Sequence, residues 1–150
     1  MSRISDYLGN DHGHCDDLFV AAENAVGAAD WALAQQAFTN FRNATLCHFA
    51  REEETLFPAF ESASGMHGGP TQVMRMEHAE MRDTLSAMAD CLQKQDRDQY
   101  LGLAETLLML MRQHNIKEEQ ILYRMCDQML AGEADHLVER MIQTTPESMA

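Results

Sequence analysis

Two stretches carry imidazole and carboxylate groups at a spacing that suits metal chemistry: HFAREEETLF at residues 48–57 and HNIKEEQILY at residues 114–123. Both read His-x-x-x-Glu-Glu-x-x-Leu-aromatic. Residues four apart lie one above the other on a helix. His48 with Glu52, and His114 with Glu118, therefore each aim an imidazole and a carboxylate in one direction wherever the chain is helical. Two such faces suggest a metal site between helices.

The surrounding sequence meets that condition. Outside the cluster SASGMHGGP at residues 62–70, the chain is rich in Ala, Leu, Met, Glu and Gln, which favour helix. Ile4, Leu8, His12, Cys15, Phe19, Ala22 and Val26 alternate steps of four and three, the inward stripe of a bundle helix. Asp30 is placed to cap a second helix, residues 31–61, whose seam is Phe38, Phe41, Thr45, His48 and Glu52. Pro58 is expected to kink or weaken its last turns, because proline lacks the backbone donor. Pro70 suits the first position of a third helix, with Met74, His78, Met81, Leu85, Met88 and Leu92 along its seam. Asp96 caps a fourth, with Ala104, Leu107, Met111, His114, Glu118, Ile121 and Met125 facing in. A short tail helix covers residues 133–143. The expected fold is all-α: an antiparallel up-down four-helix bundle with a short C-terminal tail helix.

An internal repeat sets the register. An offset of 66 positions relates His48 to His114, Glu52 to Glu118, Phe57 to Tyr123, Asp30 to Asp96 and Asp11-His12 to Glu77-His78. The chain thus reads as one domain, residues 1–150, made of two helical hairpins, 4–62 and 70–130, and a tail, 131–150. The repeat pairs His12 with His78 and sets His14 opposite Glu80, a solvated position, so His12 is the inward histidine of the first helix.

Four histidines and two glutamates then lie on inward faces: His12, His48, Glu52, His78, His114 and Glu118. A buried carboxylate without a partner costs several kcal/mol, and the seams offer few basic residues to pair with it. Bound metal is the simplest partner. Carboxylate and imidazole donors in a bundle core suit a pair of iron or manganese ions. Zinc fits less well, since no cysteine is spaced to join these histidines. Glu53 and Glu119 read as solvated faces or as groups supporting the ligands. His67 and His136 read as surface residues, Cys15 as a small core residue, and the 12 methionines as adaptable core filler.

Composition narrows the function. At 45% hydrophobic residues the chain is globular, and a net charge of −13 argues against nucleic acid and anionic membranes. No apolar run is long enough to span a bilayer, and the first residues lack a signal peptide's apolar core. Cys15, Cys47, Cys91 and Cys126 show no CxxC spacing, as expected of a cytoplasmic protein.

These motifs, Asp11-His12, His48-x-x-x-Glu52-Glu53 with the following LFP, Glu77-His78 and His114-x-x-x-Glu118-Glu119, resemble the hemerythrin-like, or HHE cation-binding, domain. The resemblance spans residues 4–130. It implies a four-helix bundle around a non-haem centre of two iron ions, bridged by oxo or hydroxo and by carboxylate groups. Oxygen-carrying members place a further histidine one turn before the helix-three ligand, where this chain has Met74, and a His-x4-Asp acid, where it has Glu119. The four-His, two-Glu set is similar to bacterial di-iron proteins of nitric oxide response or iron–sulfur cluster repair, and to eukaryotic iron-sensing domains. The expectation is a monomeric or homodimeric protein that binds O2 or NO as sensor, scavenger or carrier, with Leu8, Thr45, Met74, Met81 and Met111 around the ligand. A redox enzyme acting on NO or peroxide, a ferroxidase, and an iron-handling or cluster-repair protein are the alternatives.

Overall fold

In the computed structural model, which describes residues 3–149, helices follow one another from end to end and no strand occurs among the described residues. Four long rods form an antiparallel bundle. The first is α1 (Ile4–Gly27). The second runs through α2 (Trp31–Arg51), a π-helical turn (Glu52–Leu56) and α3 (Phe57–Ser64). The third is α4 (Pro70–Gln93). The fourth runs through α5 (Arg97–Lys117), a second π turn (Glu118–Leu122) and α6 (Tyr123–Met129).

Local chemistry ends and restarts these rods. Asp30 accepts a hydrogen bond from the Leu33 N–H, and Asp96 one from the Gln99 N–H, so each cap satisfies a donor the helix itself leaves open. Ala29 and Gln95, the residues just before the caps, both take positive φ (55° and 52°). The two turns are thus alike in backbone as well as in sequence offset. Gly65, at φ 73°, closes α3 in the left-handed conformation that glycine adopts without strain.

The second rod does not stop at Pro58 but continues to Ser64. Pro58 follows directly on the π turn and occupies the first turn of α3, where a missing N–H is tolerated. The π turns also correct the expected seam of the fourth rod. There the Tyr123 N–H bonds Glu118 O, five residues back, which inserts one residue into the helical register. Leu122, Tyr123 and Cys126 consequently face the core, whereas Ile121 is 55% exposed and Met125 is only half-buried.

Two apolar clusters fill the bundle. One packs Phe19, Phe38, Phe41, Leu85, Tyr100 and Leu107. The other packs Ile4, Leu8, Phe57, Phe60, Met74 and Leu122. The tail helix α7 (Ala134–Gln143) buries Leu137, Val138 and Met141 in the second cluster. Arg51 fastens the tail by donating to the carbonyls of Met141 and Thr144, each at 3.0 Å. The histidines and glutamates of the seams lie in a polar layer between the clusters.

Candidate metal centre

Each rod contributes to that layer. His12 comes from α1, His48 from α2, His78 from α4 and His114 from α5, while Glu52 and Glu118 are the first residues of the two π turns. All six side chains are buried, with Glu52, His78 and Glu118 at 0% exposure. Donor atoms of Glu52, His78, His114 and Glu118 lie within 4.8 Å of one another, as do those of His12, His48 and Glu118. His14, His67 and His136 are exposed.

The histidines form two couples that the 66-residue offset interchanges. The rings of His12 and His48 are 4.6 Å apart, and those of His78 and His114 are 4.8 Å apart, both with an interplanar angle of 54°. His48 Nε2 and His78 Nε2 converge on the same oxygen, Glu52 Oε1, at 3.3 and 3.1 Å. His114 Nε2 and His12 Nε2 converge on Glu118 Oε1 at 3.2 and 3.1 Å.

The outer nitrogens are held by a second set of carboxylates. Asp11 Oδ2 meets His48 Nδ1 at 2.8 Å, Glu53 Oε2 meets His78 Nδ1 at 2.6 Å, Glu77 Oε1 meets His114 Nδ1 at 2.8 Å, and Glu119 Oε2 meets His12 Nδ1 at 3.1 Å. Each acid is adjacent in sequence to a buried member of the layer, yet supports the histidine of a different rod. The supports form a closed ring: first rod to second, second to third, third to fourth, fourth to first. Sequence reasoning allowed a supporting role for Glu53 and Glu119 but assigned none to Asp11 and Glu77. Their adjacency to His12 and His78 was the available signal.

Cations hold three of these acids in turn. Arg51 bonds Asp11 at 2.8 Å, Arg82 forks onto both oxygens of Glu53 at 2.9 and 3.0 Å, and Lys117 pairs with Glu77. Burial raises the Glu53 carboxyl, but the bonds from His78 and Arg82 outweigh it and bring its pKa down to about 2. Asp11 and Glu77 are likewise lowered against their burial, by His48 with Arg51 and by Lys117 with His114.

This arrangement tests whether a cation fits. An imidazole whose Nδ1–H donates to a carboxylate turns an unprotonated Nε2 inward. His48 Nε2, His78 Nε2 and His114 Nε2 are buried without a hydrogen-bond partner, as are Glu52 Oε1 and Glu118 Oε2. Lone pairs thus face negative oxygens at close range, and only a positive charge between them satisfies both. Without one, protons must serve: burial opposes charge on His48, His78 and His114, yet the neighbouring carboxylates raise all three from the ordinary imidazole value, His48 well above it.

A family model, the hemerythrin HHE cation-binding domain, matches residues 3–126. The chain belongs to that family. Among curated proteins and among solved structures, none matches it. As a hemerythrin-family domain it is a metal-binding helical bundle, and its buried histidine and glutamate groups suit a metal site.

Two further details belong to the geometry of this hemerythrin-family centre. Tyr123 Oη donates to Glu52 Oε2 at 2.7 Å, lies 3.0 Å from Glu118 Oε1 and 3.2 Å from His12 Nε2, and is fully buried. Burial and both carboxylates hold its pKa well above the usual phenol value, so it remains a donor. Its counterpart Phe57 has no hydroxyl and lies beside the His78 ring instead, with centroids 5.8 Å apart. The second detail is a cavity of about 20 Å³ that reaches His12, His48 and His114. Its other walls are Thr45, Met81 and Met111, as expected, together with Cys15, Phe49 and Asn115. Leu8 and Met74, which the sequence suggested for this role, do not line it; they pack in the second apolar cluster with Phe57 and Leu122.

Proposed function

We propose that this domain holds two iron ions between His12, His48, Glu52, His78, His114 and Glu118, and binds O2 or NO reversibly as a sensor, scavenger or carrier. The observation that carries the reading is the set of buried Nε2 and carboxylate atoms without hydrogen-bond partners, beside a cavity of about 20 Å³. Glu52 and Glu118 each meet a histidine of both couples, which is what a carboxylate shared between two ions requires. Iron suits this donor set of imidazole and carboxylate better than zinc, since the buried cysteines are not among the clustered donors.

An iron pair held by these six residues would supply a redox-active Lewis acid for small ligands. The chain's own residues do the rest. Asp11, Glu53, Glu77 and Glu119 orient the imidazoles so that Nε2 points inward. Tyr123 offers one hydroxyl donor to the two central carboxylates from the side of the second apolar cluster. A void of about 20 Å³ exceeds by little the roughly 10–15 Å³ that one water needs, which suits a ligand of few heavy atoms. No described helix is long and apolar enough to cross a membrane. The four buried, unpaired cysteines support a reducing, cytoplasmic setting.

The test is anaerobic loading with ferrous iron, metal analysis, and then titration with O2 or NO while the visible spectrum is recorded. Two irons per chain and a saturable, reversible absorption change are expected. Iron content near zero, or no spectral change with either gas, overturns the reading. Continuous consumption of the gas would instead mark a redox enzyme.

A further inference from the structure

The C-terminal tail helix reaches the polar layer through one side chain. Arg51 Nε donates to the carbonyl oxygens of Met141 and Thr144, each at 3.0 Å, so a residue of the second rod caps the end of α7. The same guanidinium donates from Nη1 to Asp11 Oδ2 at 2.8 Å, and that oxygen also meets His48 Nδ1 at 2.8 Å. Three short contacts therefore lead from the tail backbone to an inner imidazole. The side chains along them are shielded: Arg51 is 16% exposed, Asp11 11% and His48 4%. A planar guanidinium holds its donors in fixed directions, so one residue can serve the tail and the acid together, which a lone ammonium does poorly.

The second half of the chain has no such connection. By the 66-residue offset Lys117 is the counterpart of Arg51, and it is 46% exposed, with Glu77 as its side-chain partner. Cys47, one turn before Arg51, donates to Thr144 O at 3.1 Å, whereas its counterpart Gln113 is exposed. The tail thus covers one face of the second rod and leaves the matching face of the fourth bare. It also lies beyond residue 126, where the family match ends.

We propose that Arg51 is a positioning residue that couples the tail to the metal centre. A docked α7 fixes Arg51, Arg51 fixes Asp11, and Asp11 fixes the tautomer and direction of His48. Because coupling between two binding events is reciprocal, tail docking and metal binding strengthen each other, and the tail loosens when the centre is empty. His48 alone among the four imidazoles is reached from the tail in this way. This inference rests on the metal-binding reading, and its experiment separates the two.

Four full-length proteins are compared: the parent, Leu137→Asp, Asp11→Ala and the double variant. Leu137 is 2% exposed in the second apolar cluster, so an aspartate there undocks α7 while the chain stays whole. Iron retention is read against a graded series of chelators, and tail docking from hydrogen exchange of the α7 amides. Leu137→Asp should weaken iron retention roughly fivefold or more, the lower end of ordinary coupling between sites. In the Asp11→Ala background the same substitution should change retention little, because the connection is already cut. Losses that add in the double variant show that the tail acts through general stability, and overturn the proposal. So does full iron retention in Leu137→Asp with freely exchanging α7 amides. Should Leu137→Asp not fold, Arg51→Lys takes its place, since it keeps a cation beside Asp11 and gives up the tail carbonyls. Faster α7 exchange together with weaker iron retention is then expected, and either one unchanged overturns the proposal. A parent that retains no iron overturns the metal-binding reading itself.

Discussion

Asp11 and His48 are joined across the first two rods, Oδ2 to Nδ1 at 2.8 Å, and the same bond at the same length joins Glu77 to His114 in the second half of the chain. In both cases the separation is 37 residues, and in both a basic residue three positions after the histidine, Arg51 or Lys117, closes over the acid. The supporting layer is therefore duplicated along with the inner one.

Asp11→Ala or Glu77→Ala should leave the fold intact but loosen the metal. A carboxylate behind a ligating imidazole fixes its tautomer and raises its basicity, and its loss lowers metal affinity by roughly 10–100-fold. Competition of the iron-loaded protein against a graded series of chelators measures this. Retention equal to the parent would remove the ring of carboxylates from the account of the site.

Iron should raise the thermal midpoint of the parent and not that of Glu118→Ala. Glu118 meets a histidine from each couple, so its removal takes a donor from both clustered groups. Ligand at 100 times its dissociation constant stabilises the native state by about 2.7 kcal/mol, a shift that calorimetry resolves readily. An equal iron-dependent shift in Glu118→Ala would show that the metal sits elsewhere.

Tyr123→Phe turns the fourth rod into a copy of the second at this position, where Phe57 stands. The substitution leaves two buried carboxylates without their hydroxyl donor. Metal-free protein should lose about 1–3 kcal/mol, the usual effect of stranding a buried acceptor, as read from urea unfolding. A more stable variant would mean that the hydroxyl serves no structural purpose.

Acid should unfold the metal-free protein partly through Glu53. Its folded pKa, about 2, is depressed from an ordinary value near 4.5. The stability this contributes is present above the unfolded pKa and is lost as pH falls from about 4.5 toward 2, as the linkage relation requires. Glu53 is 21% exposed, so the contribution is on the order of 2 kcal/mol. Glu53→Gln should be less stable at neutral pH, with a flatter profile over that window. Identical acid profiles for the two proteins would contradict the prediction.

Much of this was legible in one dimension. The heptad-like seams, the two aspartate caps and the 66-residue offset place His12, His48, Glu52, His78, His114 and Glu118 on inward faces, because helical periodicity is a local property of the chain. Caps and glycine stops act within a few residues and are equally readable. The register after each carboxylate was not. A π turn adds one residue to a helix without changing its composition, so Ile121 looked inward until Leu122 and Tyr123 took its place.

Relations between rods lay further out of reach. Asp11 is adjacent to His12 yet serves His48, Glu119 serves His12 across the bundle, and Tyr123 reaches Glu52 from 71 positions away. The cavity walls belong with these: Leu8 and Met74 share the seams of His12 and His78 but lie in the apolar cluster beyond the polar layer. The sequence alone determined that four rods each turn an imidazole inward, because each rod's face is set by its own spacing. Only the tertiary structure decided which acid holds which imidazole and where the small cavity lies, because those depend on how far each rod slides along its neighbours, and no single rod encodes that.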